Sequence, residues 1–393
     1  MIEKIGLFPT SLMGSMPRTK EFLKEKRQRN NGELSAEDFK ALLDAETEKV
    51  VDLQEKYDID IITNGELSRD NYVSFISSKL DGAMLMNMAD MLEYIEDKKS
   101  FEQILDVLDV PAMSIKNAIC YDKLRYRDSL VSDEMKDLRK ITDRAIKATL
   151  PGPYLMTRSM WLPALTKKKY PDKESLGKDV LEILKREIDR LIEDKVEVVQ
   201  FDEPVLTEVV FSEGKTRSFM CAALSEKKDP TEELAFAGDL IKELTDYLRG
   251  KGTKSALHVC RGNWSKDETT LLTGPYTSLE GVFEKVKADI LKLEFSTPRA
   301  GELSSLLKNE KIFSDTILGL GVINPRSDYV ESADDIIKRV EETLEYLPKE
   351  KIWLNPDCGF ATFENRPVST FPIIERKLEE LNKAKIYLRE KYE

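Results

Sequence analysis

The stretch "VEVVQFDEP", residues 196–204, decides the fold. Its β-branched, apolar first half reads as a strand. Its C-terminal end turns abruptly into Asp202, Glu203 and Pro204. The same turnover recurs along the chain, in Thr63-Asn64-Gly65-Glu66, His258-Val259-Cys260-Arg261, Leu293-Glu294 and Asn355-Pro356-Asp357-Cys358-Gly359. Strands are expected at Thr10–Ser15, Ile59–Asn64, Tyr154–Arg158, Val196–Asp202, Lys254–Cys260, Ile290–Glu294, Thr316–Gly321 and Ile352–Asp357.

Long amphipathic helices separate these strands. Ser35 precedes Asp38 by three, and Ser332 precedes Asp335 by three, each as a cap before a helical apolar period. Leu176, Val180, Leu184, Ile188 and Leu191 mark a third helical face. Alternating strands and helices imply α/β architecture with a parallel sheet, and eight repeats fit a (β/α)8 TIM barrel. A doubly wound open sheet would need a glycine-rich phosphate turn after the first strand. Gly14 is followed instead by Ser15-Met16-Pro17.

About ninety residues lie between the second and third expected strands, more than one barrel helix requires. A helical insertion is therefore expected over about 76–150, within a single TIM-barrel catalytic domain spanning 1–393. Met84, Met86, Met88 and Met91 cluster in it. Methionines of this kind fill irregular cores, and the sharper alternative is an adaptable docking surface.

The 393 residues are 41% hydrophobic and 34% charged, with a net charge of −12 and no basic stripe, which argues against a nucleic-acid partner. No apolar run reaches the roughly 18 residues needed to span a bilayer. Pro9 and Pro17 interrupt the N-terminal segment, which lacks a signal peptide's continuous apolar core and is expected to belong to the fold. Cys120, Cys221, Cys260 and Cys358 are widely spaced, as buried thiols or metal ligands of a cytoplasmic protein are.

In a barrel, the C-terminal strand ends converge on one face. His258, the sole histidine, and Cys260 alternate on one strand and can point the same way. Cys358 and Glu294 arrive from other strand ends. One nitrogen, two sulfurs and one oxygen suit a catalytic Zn2+ with a displaceable fourth ligand. A buried histidine with two inert thiols is the alternative. Two thiolates weaken zinc as a Lewis acid for water and tilt the site towards alkyl transfer onto a bound thiol.

The chain resembles the catalytic C-terminal barrel of the cobalamin-independent methionine synthase family. The resemblance runs through "MGSMPRT" (13–19), "ITNGELSRDNYVSF" (62–75), "LPGPYLM" (150–156), "VVQFDEPVL" (198–206), "HVCRGNW" (258–264), "LEFSTPRAGEL" (293–303), "LGLGVINPRSD" (318–328) and "WLNPDCGFATF" (353–363). It implies zinc held by His258, Cys260, Glu294 and Cys358, with Glu294 yielding to the incoming thiol. It also implies that Glu66 and Asp202 hold the homocysteine ammonium group, with Ser15 near its carboxylate. The chain departs from the family in three ways. It is about half the length of the two-barrel members. Arg326 stands at the catalytic position of a proton-carrying histidine, and a guanidinium does not shuttle protons at neutral pH. A tryptophan expected near Ser159 is displaced to Trp161.

The leading expectation is therefore zinc-dependent methylation of a small thiol, homocysteine to methionine, with a methyl donor that includes a methylcorrinoid protein among its candidates. The related epoxyalkane:coenzyme M transferases suggest an alternative. In them a zinc-bound thiol opens an epoxide, and Arg326 or Arg261 would grip the coenzyme M sulfonate. A third reading is a non-catalytic binder of thiols or amino acids.

Overall fold

The computed structural model describes residues 5–94, 116–211 and 229–393. Nine strands are present among them: β1 (Ile61–Ile62), β2 (Leu80–Asn87), β3 (Lys116–Tyr126), β4 (Ala145–Pro151), β5 (Val198–Asp202), β6 (Lys254–Val259), β7 (Ile290–Leu293), β8 (Ile317–Ile323) and β9 (Ile352–Pro356). Seven form one sheet in the order β1-β4-β5-β6-β7-β8-β9, with every pairing parallel. Thr10 and Ser11 take the eighth position. Thr10 bridges Leu354 of β9 and Ser11 bridges Ile61 of β1, so the two sheet edges meet through the N-terminal segment. The fold is the expected TIM barrel.

Residues two apart on a strand face the same side, so the strands stack the barrel interior in layers. Ile61, Ala145, Val198, Ala256, Ile290 and Trp353 form an apolar plug at the N-terminal end of the strands. One step along come Lys147, Gln200 and Lys292, all buried. The next step carries Thr149, Asp202, His258 and Glu294. Gly319 makes room for the middle layer, because a Cβ there would stand 2.6 Å from Cγ of Lys292.

The outer helices follow the sequence pattern. Ser35 accepts the Asp38 amide at 3.0 Å, and Ser332 and Asp335 form a reciprocal capping box. Leu176, Val180, Leu184, Ile188 and Leu191 are all fully buried on the helix Lys173–Glu193.

The third strand lies elsewhere than expected. Tyr154–Arg158 belongs to a helix, Pro153–Ser159, and the strand is β4. Pro153 at the first helical position favours that start. The buried Glu203 carboxylate accepts the amides of Tyr154 and Leu155 there, at 2.8 and 3.0 Å. The extra segment thus ends before Ala145, whereas the sequence pattern extends it to about 150. It carries the helix Ser132–Ile141 and also an antiparallel β2–β3 hairpin that the sequence reading did not include. Residues 95–115 of the expected insertion, as well as Cys221, lie outside the described residues. Among the described residues, no helix is long and apolar enough to cross a membrane.

Candidate metal centre

β6 delivers His258 and, just past its end, Cys260, while the loop after β9 delivers Cys358. Their ligand atoms all lie within 4.8 Å of one another, and all three residues are buried. Cys358 Sγ is 3.9 Å from His258 Nε2. Ligands at tetrahedral zinc stand roughly 3.4–3.8 Å apart, given bonds of about 2.0–2.3 Å. The donor chemistry suits a zinc-type ion, and the three ligand atoms lie somewhat further apart than around a bound one.

The thiols are electrostatically paired. The hydrogen bond with Cys358 lowers the Cys260 pKa, and His258 adds to this against the cost of burial. Burial and the neighbouring Cys260 push Cys358 well up. Metal binding would displace the thiol protons of these two cysteines.

The ring's other nitrogen, Nδ1, is 2.9 Å from Oδ1 of Asp202. Carboxylate support of this kind fixes the orientation of a metal-binding imidazole. Asp202, expected in the ammonium site, thus also holds His258. Nε2 is 3.2 Å from the Asp357 carbonyl oxygen.

Glu294 stands beside the three-residue group. Cys358 Sγ donates to its Oε1 at 3.2 Å, and the Arg261 amide donates to Oε2 at 3.1 Å. Arg326 Nη1 is 3.2 Å from Oε1, and the Arg261 and Arg299 guanidinium groups lie 3.8 Å from Oε2. Burial alone would raise the Glu294 pKa, but Arg326, Arg299 and Arg261 together bring it below the usual carboxylate value. Arg326 is itself fully buried and also donates to Gly262 O and Asn263 Oδ1. Neither Arg326 nor Arg261 lines the adjacent cavity. The sulfonate role considered for these two arginines thus lacks a cation facing the cavity.

That cavity, about 750 Å³ including its mouth, opens over the metal centre. Ser15, Glu66, Asp202, His258, Cys260 and Cys358 line one part of it, and Met13, Tyr72, Trp264 and Phe363 line another. Gly65 and Glu66 both adopt left-handed backbone, with φ of 76° and 55°. For glutamate this is a strained conformation of the kind that collects at functional sites. Thr149 Oγ1 donates to Glu66 Oε1 at 2.7 Å. Burial raises the Glu66 pKa, Arg69 opposes the rise and Asp202 adds to it. Gly14 is required nearby, because a Cβ there would come within 1.9 Å of Glu66 Oε1.

Met86, Met88 and Met91 are buried in one cluster with Trp264 and Phe363, so they back the apolar wall of the cavity. Lys147 carries no signal in the sequence, and Gln200, Asn263, Trp264 and Phe363 stand in its motifs without an assigned role.

The sequence model of the "Cobalamin-independent synthase, Catalytic domain" family matches residues 8–371. A "Methionine synthase" of Pyrococcus furiosus is 26% identical over 364 residues, covering 92% of this chain and 89% of that protein. A "5-methyltetrahydropteroyltriglutamate--homocysteine methyltransferase" of Bacillus licheniformis is 23% identical over 381 residues. The match covers 97% of this chain and 43% of that protein, so the chain spans less than half of this longer relative. Among solved structures, a B12-independent methionine synthase of Shewanella sp., in complex with selenomethionine, superposes with a TM-score of 0.70 at 20% identity, covering 98% of both chains. This superposition supports the barrel fold.

Proposed function

Because the chain belongs to the cobalamin-independent methionine synthase catalytic-domain family, we propose that it transfers a methyl group to the sulfur of homocysteine. In this reading, zinc is held by His258, Cys260 and Cys358, with Glu294 as the fourth, displaceable ligand. The observation that carries it is the opening of one cavity onto two cysteine sulfurs, the sole imidazole and the Glu66 and Asp202 carboxylates.

Zinc so held supplies a Lewis acid that lowers the pKa of an incoming thiol into the neutral range. Glu66 and the second oxygen of Asp202 receive the substrate ammonium group. Its charge offsets the burial that raises Glu66. Ser15 receives the substrate carboxylate, which leaves the sulfur directed at the cysteines. Met13, Tyr72, Trp264 and Phe363 exclude water on the donor side. The new S–CH3 bond forms as the donor's bond to methyl breaks, in line; the proton given up by the thiol is matched by one taken up by the leaving nitrogen of a folate donor, or passes to water when the donor is a corrinoid. Holding the partners in this geometry supplies much of the rate.

The test uses zinc-loaded protein with homocysteine and, in parallel, methylcobalamin or methyltetrahydrofolate. The product is identified by mass. Methionine is expected from one of them, and Cys358→Ser is expected to lose both zinc and turnover. Homocysteine bound without turnover on any donor would leave only the binder reading, and full metal with full activity in Cys358→Ser would remove the site assignment.

A further inference from the structure

We propose that Lys147 and Gln200 are positioning residues for the imidazole of His258. A buried hydrogen-bonded chain rising from the middle layer of the barrel sets which ring nitrogen faces the two cysteine sulfurs. The inference rests on the metal-centre reading above and extends it to two residues outside the ligand set.

Lys147 is buried at the middle layer. It is 2.6 Å from Oε1 of Gln200 and 3.0 Å from the Met13 carbonyl, and it also donates to the Leu12 carbonyl. An ammonium group has three protons to donate and no acceptor. All three are used here, none on a carboxylate. This fixes the Gln200 amide, since only its oxygen can face Lys147. Its NH2 group must then face the other way, where it donates to Met13 O at 3.1 Å and to Asp202 Oδ1 at 2.8 Å.

Asp202 Oδ1 is the same oxygen that meets His258 Nδ1 at 2.9 Å. The imidazole has two competing arrangements. It can place a proton on Nδ1 and donate to Asp202, or place one on Nε2 and donate to the Asp357 carbonyl 3.2 Å away. Only the first leaves the Nε2 lone pair free towards the cysteines. An Asp202 carboxylate locked as an acceptor by Gln200 favours the first, because a carboxylate accepts more strongly than a carbonyl. A cation therefore fixes an amide, the amide fixes a carboxylate, and the carboxylate fixes the imidazole. Burial lowers the Lys147 pKa, while the three oxygen acceptors around its nitrogen suit the ammonium form. Lys292, beside it, donates to Ser11 and is driven well below its ordinary value by burial and by Lys147.

The sole histidine makes the chain directly readable. In zinc-loaded, histidine-15N-labelled protein, one Nδ1-bound proton is expected, shifted downfield and slow to exchange with water. In Gln200→Met and in Lys147→Met this proton should move upfield and exchange faster. Zinc affinity, measured by chelator competition, should fall about 10- to 100-fold. The double variant should bind zinc no more weakly than the weaker single one, because the two residues act in series. If Lys147→Met does not fold, Gln200→Met decides alone. An unchanged Nδ1 proton in Gln200→Met would overturn the inference, whether or not affinity falls. Failure of the wild-type chain to bind zinc would instead remove the metal-centre reading itself.

Discussion

Arg326 Nη1 lies 3.2 Å from Oε1 of Glu294, and that oxygen also lies 3.2 Å from Cys358 Sγ. The guanidinium, which does not line the cavity, thus grips the carboxylate next to the thiol. Under the proposed function, a Glu294 carboxylate displaced by an incoming thiol would already have a cation to receive it. Arg326, which the family resemblance sets at a proton carrier's position, is here a clamp on a neighbouring side chain.

Removing that clamp strands a buried charge. Breaking a buried ion pair costs roughly 3–5 kcal/mol, and Arg261 and Arg299 remain near Glu294, so Arg326→Met is expected to destabilise by about 3 kcal/mol. Adding Glu294→Gln should restore part of the loss, because the two residues are directly coupled. Urea denaturation of the two variants and the wild type measures both effects. Unchanged stability in Arg326→Met would show that the pair contributes nothing.

Glu66 faces the cavity as a strained, buried carboxylate. In Glu66→Gln, homocysteine affinity should fall about 10- to 100-fold, since a hydrogen bond to a charged group is worth about 1.5–3 kcal/mol. Bound zinc should be unchanged. Calorimetric titration alongside a metal assay separates the two. Equal loss of both would assign Glu66 to the metal centre and not to the ammonium site.

Glu134 ties the helix Ser132–Ile141 to the segment carrying Glu66. It bonds Arg69, Ser68 and Asn64 at 2.8, 2.7 and 2.9 Å. Burial alone would raise its pKa, but the Arg69 charge and these hydrogen bonds outweigh burial, so the net direction is down. A lowered folded-state pKa gives stability that is fully present above the unfolded value of about 4.3 and is lost as pH falls through the folded one. Glu134→Gln should therefore be less stable than wild type at neutral pH, with the gap narrowing below about pH 4. Denaturation midpoints from pH 7 to pH 3 measure it. A gap that stays constant across that range would show that the Glu134 charge is not its source.

The grouping of His258, Cys260 and Cys358 was legible because these residues are chemically conspicuous and sit at the ends of apolar runs, where period-two alternation gives their direction. The helix caps were legible because Ser-x-x-Asp is local. β4 was not. Lys147 and Thr149 point into the barrel, so the strand alternates with the polarity of a surface segment, while the apolar Tyr154-Leu155-Met156 after it imitates a strand. Local pattern could not show that a lysine faces inwards, nor which neighbour each residue would bond. Asp202 was read as a substrate ligand and also holds His258. Arg326 was read as facing a ligand and faces Glu294.

The apolar plug of Ile61, Ala145, Val198, Ala256, Ile290 and Trp353 stops the barrel at one end, and the cavity over the cysteines opens at the other. Under the proposed methyl transfer two reactants share this mouth, so the amino acid enters before the methyl carrier and methionine departs after the spent carrier. Product-inhibition kinetics should therefore show methionine competing with homocysteine alone, and competition with the carrier as well would mean a second way in.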